Sequence, residues 1–231
     1  AGDRFDVPVT IAVPEGANPA KVAAIERYGA EVVAQGATFD DAREWAEEQA
    51  ASHGYRYVHS ANEGALVAGV ATAGLEVVED LPEVDYAFCP VGGGSGASGY
   101  CLTVGSLTDA SVVGVQSAAA PAIHRAWAED TLEPHDRMET FAEGLATSVP
   151  FALTTRILRD GLDDFRLVSD DALRDGMATM LADEHLVIEG ASAASLAGAR
   201  AMADEIGGST VVLQLSGRNV DLEKVRAVVD A

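Results

Sequence analysis

A run of glycines follows a short apolar segment in the middle of the chain. Residues 86–91 (YAFCPV) are apolar, and the next five positions are Gly92, Gly93, Gly94, Ser95 and Gly96. Glycine permits positive φ and close approach of the backbone to a ligand, and unpaired N–H groups at a helix N-terminus attract an anion. The pattern therefore predicts a strand, a phosphate-binding loop and a helix that continues to about Val104. The alternative is a tight strand-to-helix turn that binds nothing.

The same segment contains the spacing G-x-G-x-x-G, as Gly94, Gly96 and Gly99. In dinucleotide-binding proteins, an acidic residue about twenty positions further on binds the ribose. Here the next predicted strand ends at residues 115–117 (VQS) without an acid, and no lysine follows the glycines as in a Walker loop. The sequence therefore disfavours a nucleotide and favours a small phosphorylated ligand.

A second candidate group lies near the end of the chain, where residues 210–215 (TVVLQL) precede the turn SGRN. Side chains at the carboxyl ends of neighbouring parallel strands meet in the crevice where ligands bind. Ser216 is therefore expected to face the same pocket as the glycine run. The alternative is a serine that only forms the turn or caps a helix.

Other side chains give less evidence of chemistry. The five histidines have no H-E-x-x-H or C-x-x-C partners, and no serine lies in a G-x-S-x-G motif. Cys89 and Cys101 show no redox spacing and are expected to be small buried hydrophobic residues in a reducing cytoplasm. We therefore predict no metal site and a cytoplasmic protein.

The elements that must position these groups alternate along the chain. Apolar, β-branched segments predict strands at 7–13, 31–33, 56–58, 85–91, 111–116, 165–168 and 210–215. Helical patterns lie between most of them, whereas residues 130–150 show no period and are expected to wrap the surface. This alternation predicts an α/β fold with two lobes and mainly parallel, twisted sheets flanked by helices, divided into residues 1–60 and 61–231.

The charge is unusual, because 37 acidic residues stand against 15 basic ones and give a formal net charge of -22. Such a surface repels phosphate backbones, so we expect no nucleic-acid partner. The composition is similar to that of halophilic proteins, whose carboxylates are screened when molar salt shortens the Debye length to about 3 Å. The alternative is an acidic protein from a mesophile. No apolar run approaches the ~18 residues of a membrane span, and no export signal is evident.

Several segments occur in the order found in one enzyme family. Residues 8–33 (PVTIAVPEGANPAKVAAIERYGAEVV) come first, followed by VAGVATAGLE, PVGGGSGASG, FAEGLA, EGASAASLA and SGRNVD. This order resembles the pyridoxal-phosphate-dependent threonine and serine dehydratases of the tryptophan-synthase-β fold, also called fold type II. The resemblance covers essentially the whole chain. The segments SGASG and VAGVATAGLE are similar to those of the hydroxyectoine-utilisation branch.

The resemblance implies a role for each matching residue. The residues implied to hold the phosphate of pyridoxal 5'-phosphate are Gly92, Gly93, Gly94, Ser95 and Gly96. Ser216 would hydrogen-bond the pyridine nitrogen, where a neutral hydroxyl suits elimination of a β-substituent better than transamination. Asn219 would support that turn, and Glu189 would lie near the ring face. For Glu189 the alternative is a carboxylate that interacts with the dipole of the following helix.

Two features of that family are missing from the chain. The lysine that forms the Schiff base belongs to an S-F-K-x-R-G-like motif, which is absent, as is the S-x-G-N-H loop for the substrate carboxylate. The two lysines present, Lys21 and Lys224, lie in helical patterns and are not expected to be catalytic. Because the chain opens at Ala1 with residues that resemble the middle of the N-terminal lobe, we expect a fragment. Residues 1–60 would be a remnant of the small lobe, and a preceding segment would supply the lysine.

The sequence is thus interpreted as a pyridoxal-phosphate-dependent ammonia-lyase that acts on threonine, serine or a related β-hydroxy amino acid. Its products would be a 2-oxo acid and ammonia, and the resemblance implies a dimer or tetramer. One alternative is a non-catalytic or regulatory module that binds the cofactor or phosphate without a lysine. Another is a nicotinamide-dependent oxidoreductase.

Overall fold

Strands and helices alternate along residues 2–230, which are the residues described in the computed structural model. The contacts between residues divide the chain into two units, the first ending at Val58 and the second beginning at His59. Every strand pairing in both units is parallel. No helix within residues 2–230 is long and apolar enough to cross a membrane.

The described residues of the first unit, 2–58, form a two-stranded sheet and three helices. Its elements are α1 (Gly2–Phe5), β1 (Thr10–Val13), α2 (Pro19–Arg27), β2 (Glu31–Ala34) and α3 (Phe39–His53). The N-terminus of α3 has a capping box, in which the Thr38 hydroxyl accepts from the Asp41 amide and the Asp41 carboxylate accepts from the Thr38 amide. This cap fixes where the chain turns from β2 into α3.

The second unit contains a four-stranded sheet with strand order β5-β4-β3-β6. Its strands are β3 (Tyr86–Pro90), β4 (Ser111–Ser117), β5 (Asp164–Val168) and β6 (Val211–Leu213). Its helices are α4 (Gly64–Asp80), α5 (Ser95–Leu102), α6 (Val104–Leu107), α7 (Ala122–Glu129), α8 (Ala152–Gly161), α9 (Asp170–Asp183), α10 (Ala193–Ala201) and α11 (Leu222–Val229). One turn of 3-10 helix spans Glu143–Leu145.

The central strands are buried on both faces of this sheet. Ala87 and Cys89 of β3 pack into one apolar cluster, whereas Phe88 packs into another on the opposite face. Helices cover both faces, with α5 and α8 on the first side and α10 on the second. This double covering explains why β3 and β4 are almost continuous apolar runs rather than alternating ones.

The predicted α/β fold with parallel sheets flanked by helices is confirmed, but some elements differ. Residues 56–58 form no strand, because within the described chain they pair with no other strand. The helix predicted through residue 104 ends at Leu102, where the Thr103 hydroxyl donates to the Gly99 carbonyl oxygen. Helix α8 was not predicted, because adjacent Thr154 and Thr155 weaken the helical pattern.

Candidate active site

A cavity of about 650 Å³ lies in the second unit, at the carboxyl ends of β3 and β6. The glycine run after β3 forms one wall, and residues 212–216 form the facing wall. Residues of α4 also line the cavity, as do Tyr100, Gly144, Glu189 and Ala191. The two segments that sequence analysis identified as candidates therefore meet in one cavity, as expected for neighbouring parallel strands.

The glycine run joins β3 to α5 through a left-handed residue. Gly94 has φ 86°, a value that L side chains rarely adopt, and α5 begins at the next residue. The first α5 amide that donates within the helix is that of Ser98, to the Gly94 carbonyl oxygen at 2.9 Å. The amides of Ser95, Gly96 and Ala97 precede it, so they have no intrahelical acceptor. They form a site for an anion at the helix N-terminus.

The chain approaches the glycine run closely from a second side. A methyl group on Gly92 would overlap the carbonyl oxygen of Gly144, in the 3-10 turn. The carboxylate of Asp170 holds the segment before this turn, accepting from the Thr140 hydroxyl at 2.8 Å and from the Phe141 amide at 3.0 Å. It also accepts from the Ser117 hydroxyl at the end of β4, at 2.8 Å. Asp170 therefore fixes the segment that packs on Gly92.

The Ser216 turn is held by two serines of the α10 region. The Ser192 hydroxyl accepts from the Gly217 amide at 2.7 Å and donates to the Gly217 carbonyl oxygen at 2.6 Å. The Ser195 hydroxyl donates to the carbonyl oxygen of Gln214 at 3.1 Å. Ser192 and Ser195 are fully buried, whereas Ser216 is exposed. These contacts fix the backbone on both sides of Ser216.

Glu189 lies where the cavity meets the Ser216 turn. Its amide donates to the Gly217 carbonyl oxygen at 3.2 Å, and its carboxylate lies so close to the Gly217 Cα that a methyl group there would overlap it. Its carbonyl oxygen accepts from the amide of Ser192 at 3.0 Å, just before α10. The residue thus lines the cavity and also precedes a helix, so both interpretations of Glu189 remain predictions.

Seven of the eight predicted site residues line the cavity. They are Gly92, Gly93, Gly94, Ser95, Gly96, Glu189 and Ser216. Asn219 is exposed and does not line it. Their roles toward a ligand stay predictions.

The lysines lie elsewhere. Lys21 is on α2 of the first unit, and Lys224 is on α11, where its ammonium group contacts the Glu143 carboxylate. The residues that line the cavity include neither lysine and no arginine. An anion in this cavity would therefore be held by backbone and neutral donors within the described chain.

The thiols and the phenol near the site are protonated at neutral pH. Burial raises the pKa of Tyr100, which lines the cavity, to about 12, with smaller contributions from Cys89 and Glu76. Burial also raises the pKa of Cys101 to about 12 and that of Cys89 well above its ordinary value. Both cysteines are free and buried, as predicted. They are packing residues rather than nucleophiles.

Metal-binding side chains are dispersed in this structure. Among residues 2–230, no group of three or more His, Cys, Asp or Glu side chains is placed to hold a metal ion.

Sequence analysis missed the residues that support the site. Ser192 and Ser195 were visible only as small residues in the EGASAASLA segment, and their spacing of three was the available signal. Asp170 and Asp171 stand together before a helical pattern, where acidic residues are common, so the sequence gives Asp170 no other role. Its partners lie 29 to 53 residues away, so no local pattern indicates them.

Comparisons with known proteins agree on one family. The model of the family described as "Pyridoxal-phosphate dependent enzyme" matches residues 1–217. The L-threonine ammonia-lyase of Geobacter sulfurreducens is 33% identical over 232 residues, covering 100% of this chain and 58% of that protein. The L-threonine ammonia-lyase of Thermotoga maritima is 30% identical over 231 residues, covering 100% of this chain and 57% of that protein.

Solved structures are similar as well. The processed form of threonine deaminase isoform 2 from Solanum lycopersicum has a TM-score of 0.93 at 25% identity, covering 99% of this chain and 64% of that one. The chain spans little more than half the length of the two L-threonine ammonia-lyases, 58% and 57%.

Proposed function

The chain belongs to the family of pyridoxal-phosphate dependent enzymes, and we propose that its natural protein is an ammonia-lyase of β-hydroxy amino acids. The substrate would be threonine, serine or a related amino acid, and the products a 2-oxo acid and ammonia. One observation carries the proposal: the Ser216 hydroxyl and the free amides at the N-terminus of α5 line the same cavity. The names of the two curated relatives support threonine as a substrate.

The donors in the cavity fit pyridoxal 5'-phosphate. Its phosphate is an anion, and the amides of Ser95, Gly96 and Ala97 are donors without intrahelical acceptors. Its pyridine nitrogen accepts a hydrogen bond, which the Ser216 hydroxyl can donate. When bound, this cofactor supplies an electron sink for the α-carbon of an amino acid.

Ser216 would set the reaction type. A carboxylate at this place would favour a protonated ring, whereas the hydroxyl of Ser216 donates its hydrogen bond and leaves the ring neutral. A neutral ring withdraws less electron density, which favours loss of a β-hydroxyl over transamination. Ser192 and Ser195 would hold Ser216 in place, and Glu189 would lie near the ring face.

The residues that line the cavity include no lysine that could form the Schiff base with the cofactor. The relatives are longer than this chain, and we propose that the corresponding part of the natural protein supplies it. We further propose that residues 1–60 are part of a small lobe and that residues 61–231 form the cofactor-binding lobe. A second candidate function is a module that binds the cofactor without catalysis, favoured by a cavity that neither lysine of the chain lines. The family match leaves a nicotinamide oxidoreductase without support.

Borohydride treatment of the natural gene product separates these candidates. Borohydride fixes the cofactor to the lysine that holds it, and peptide mass mapping then locates the adduct. We expect an adduct on a lysine other than Lys21 and Lys224, together with 2-oxo acid formation from threonine. Binding of the cofactor without an adduct and without turnover would support the binding module instead.

A Ser216→Asp variant tests the reaction type separately. We expect its 2-oxo acid formation to fall at least about tenfold while cofactor content is retained, because an aspartate would stabilise the protonated form of the ring. Ser106→Ala is a matched control, since the Ser106 hydroxyl donates to the Cys101 carbonyl oxygen outside the cavity. An Asp variant with unchanged turnover would refute the assignment of Ser216.

We also propose that the protein is halophilic and cytoplasmic. A net charge of -22 with 15 basic residues supports the first, because dense carboxylates need screening. The free, buried state of Cys89 and Cys101 supports the second. Melting curves at rising KCl concentration test the halophilic proposal, and a melting temperature that does not rise would refute it.

A homo-oligomer completes the proposal, with a small amino acid and no nucleic acid or membrane as partner. Leu102 and Leu107, at the ends of α5 and α6, are 49% and 59% exposed and could lie in a subunit interface. Light scattering on the natural protein at high salt would test this, and a monomeric mass would refute it.

A further inference from the structure

Gln214 is the residue after β6, and its backbone is fixed on two sides. Its amide donates to the Phe88 carbonyl oxygen at 3.0 Å, and its carbonyl oxygen accepts from the Ser195 hydroxyl at 3.1 Å. The direction of its side chain is therefore set by β3 on one side and by the α10 region on the other. That side chain lines the cavity, two residues before Ser216.

The carboxamide of Gln214 lies against the first turn of α5. A Cβ atom on Gly96 would be 3.4 Å from its Nε2 and 3.6 Å from its Oε1. The Oε1 atom is buried and has no hydrogen-bond partner within the described chain. A buried amide oxygen without a partner is costly, and an aliphatic side chain of similar size would avoid that cost.

The neighbours of this carboxamide are the donors proposed to bind the phosphate. Leu213 and Leu215 flank Gln214 in sequence, so the neighbouring residues of the segment do not explain why this position is polar. No arginine or lysine lines the cavity within the described chain. A phosphate bound near α5 would therefore depend on hydrogen bonds from neutral donors. A carboxamide offers two N–H donors and one acceptor, and rotation by 180° exchanges them with little change of shape.

We propose that Gln214 is a binding residue for the cofactor phosphate. Its Nε2, the carboxamide atom nearest to the Gly96 position, donates a hydrogen bond to the phosphate bound at the N-terminus of α5. This inference rests on the proposed function, because it assumes that the cavity binds pyridoxal 5'-phosphate. Gln214 and Ser216 then hold the two ends of one ligand, from positions two residues apart.

The test uses the natural full-length protein after removal of its cofactor. Gln214→Leu removes the polar group at similar size, and Gln214→Glu keeps the size but places a carboxylate near the phosphate. Gln49→Leu, on α3 of the first unit, is the matched control. Each protein is titrated with pyridoxal 5'-phosphate, with pyridoxal and with inorganic phosphate, and phosphorus NMR records the shift of the bound phosphate.

We expect Gln214→Leu to weaken binding of pyridoxal 5'-phosphate and inorganic phosphate about ten- to a hundredfold, with unchanged pyridoxal binding. Gln214→Glu should weaken phosphate binding further, and the phosphorus resonance should move in both variants but not in the control. Equal losses for pyridoxal and its phosphate, or no loss at all, would refute the role of Gln214. Wild-type protein that binds neither phosphate ligand would instead refute the proposed function on which it rests.

If the Leu variant does not fold, circular dichroism will show it, and the Glu variant then decides. A folded Glu variant with wild-type phosphate affinity would overturn the proposal, since a carboxylate cannot donate a hydrogen bond to the phosphate.

Discussion

The Ser192 hydroxyl bonds both backbone groups of Gly217, accepting from its amide at 2.7 Å and donating to its carbonyl oxygen at 2.6 Å. It also lies 3.4 Å from the Ser216 hydroxyl. One buried side chain before α10 thereby fixes the turn on which Ser216 stands. The position of the proposed ring-nitrogen partner is consequently determined by packing 24 residues away in sequence.

Replacing this serine should loosen the turn. We expect Ser192→Ala to lower the free energy of unfolding by about 1–3 kcal/mol, because it removes the acceptor of the Gly217 amide and one of the two donors to the Gly217 carbonyl oxygen. Cofactor affinity should fall as well, because Ser216 would lose its fixed position. Urea unfolding and cofactor titration measure the two effects, with Ser106→Ala as the control. A variant as stable as wild type would show that water or another group replaces the hydroxyl.

The left-handed residue of the glycine run should tolerate no side chain. Gly94→Ala places a methyl group at φ 86°, 3.0 Å from Leu158 Cδ1 and 3.2 Å from Thr154 Cβ. We expect a loss of at least about 1 kcal/mol in stability, together with loss of cofactor retention, and the same loss of retention for a bulky residue at Gly93 or Gly94. Gly64→Ala is the control, since a methyl group there meets no atom within 4 Å. Unchanged cofactor absorbance in the Gly94 variant would overturn the phosphate-loop assignment.

Replacing Asp170 tests whether the segment that packs on Gly92 is needed for cofactor binding. In Asp170→Asn, an NH₂ group replaces one carboxylate oxygen and cannot accept a hydrogen bond. The variant therefore cannot accept from the Phe141 amide and from the two hydroxyl groups at once. We expect a loss of about 1.5–3 kcal/mol in stability and weaker cofactor binding, because the segment that packs on Gly92 is released. Asp171→Asn is the adjacent control, since Asp171 is exposed and its carboxylate pairs with Arg174 at 2.8 Å. Equal effects in both variants would show that the loss is one of general charge.

Alkaline pH should destabilise the fold through Cys101. Burial raises the pKa of this thiol from 9.0 to about 12 in the folded state. Below pH 9 both states keep the proton; above it only the unfolded state releases it, so stability is lost as the pH rises from about 9 to 12. We expect Cys101→Ala to reduce this slope in urea unfolding measured at several pH values. An unchanged slope would mean that the lost proton belongs to another group.

The sequence was sufficient for the residues that form the cavity walls, because their signals are local. Four glycines after an apolar run and a serine at the end of a buried strand indicate a ligand site without knowledge of distant contacts. Parallel strand pairing then brings Gly92 and Ser216 to one cavity, as expected. Such signals can be recognised in a single sequence because they depend on the residue types within one short segment.

The residues that hold those walls could not be predicted in the same way. Ser192, Asp170 and Gln214 act through partners far away in sequence, so their roles depend on which helix packs on which strand. The missing strand at residues 56–58 shows the same limit, since strand identity depends on a pairing partner. Pairing and packing are properties of the folded chain rather than of any segment.

The pairing of β3 with β6 determines when the cavity can form during synthesis. Phe88 pairs with Leu213, and Ser95 and Ser216 are separated by about 120 residues of chain. At roughly 5–20 residues per second, a ribosome needs about 6 to 25 seconds to add the residues between them. During this interval the glycine run exists without its facing wall. Cofactor capture is therefore expected only after β6 has joined the sheet.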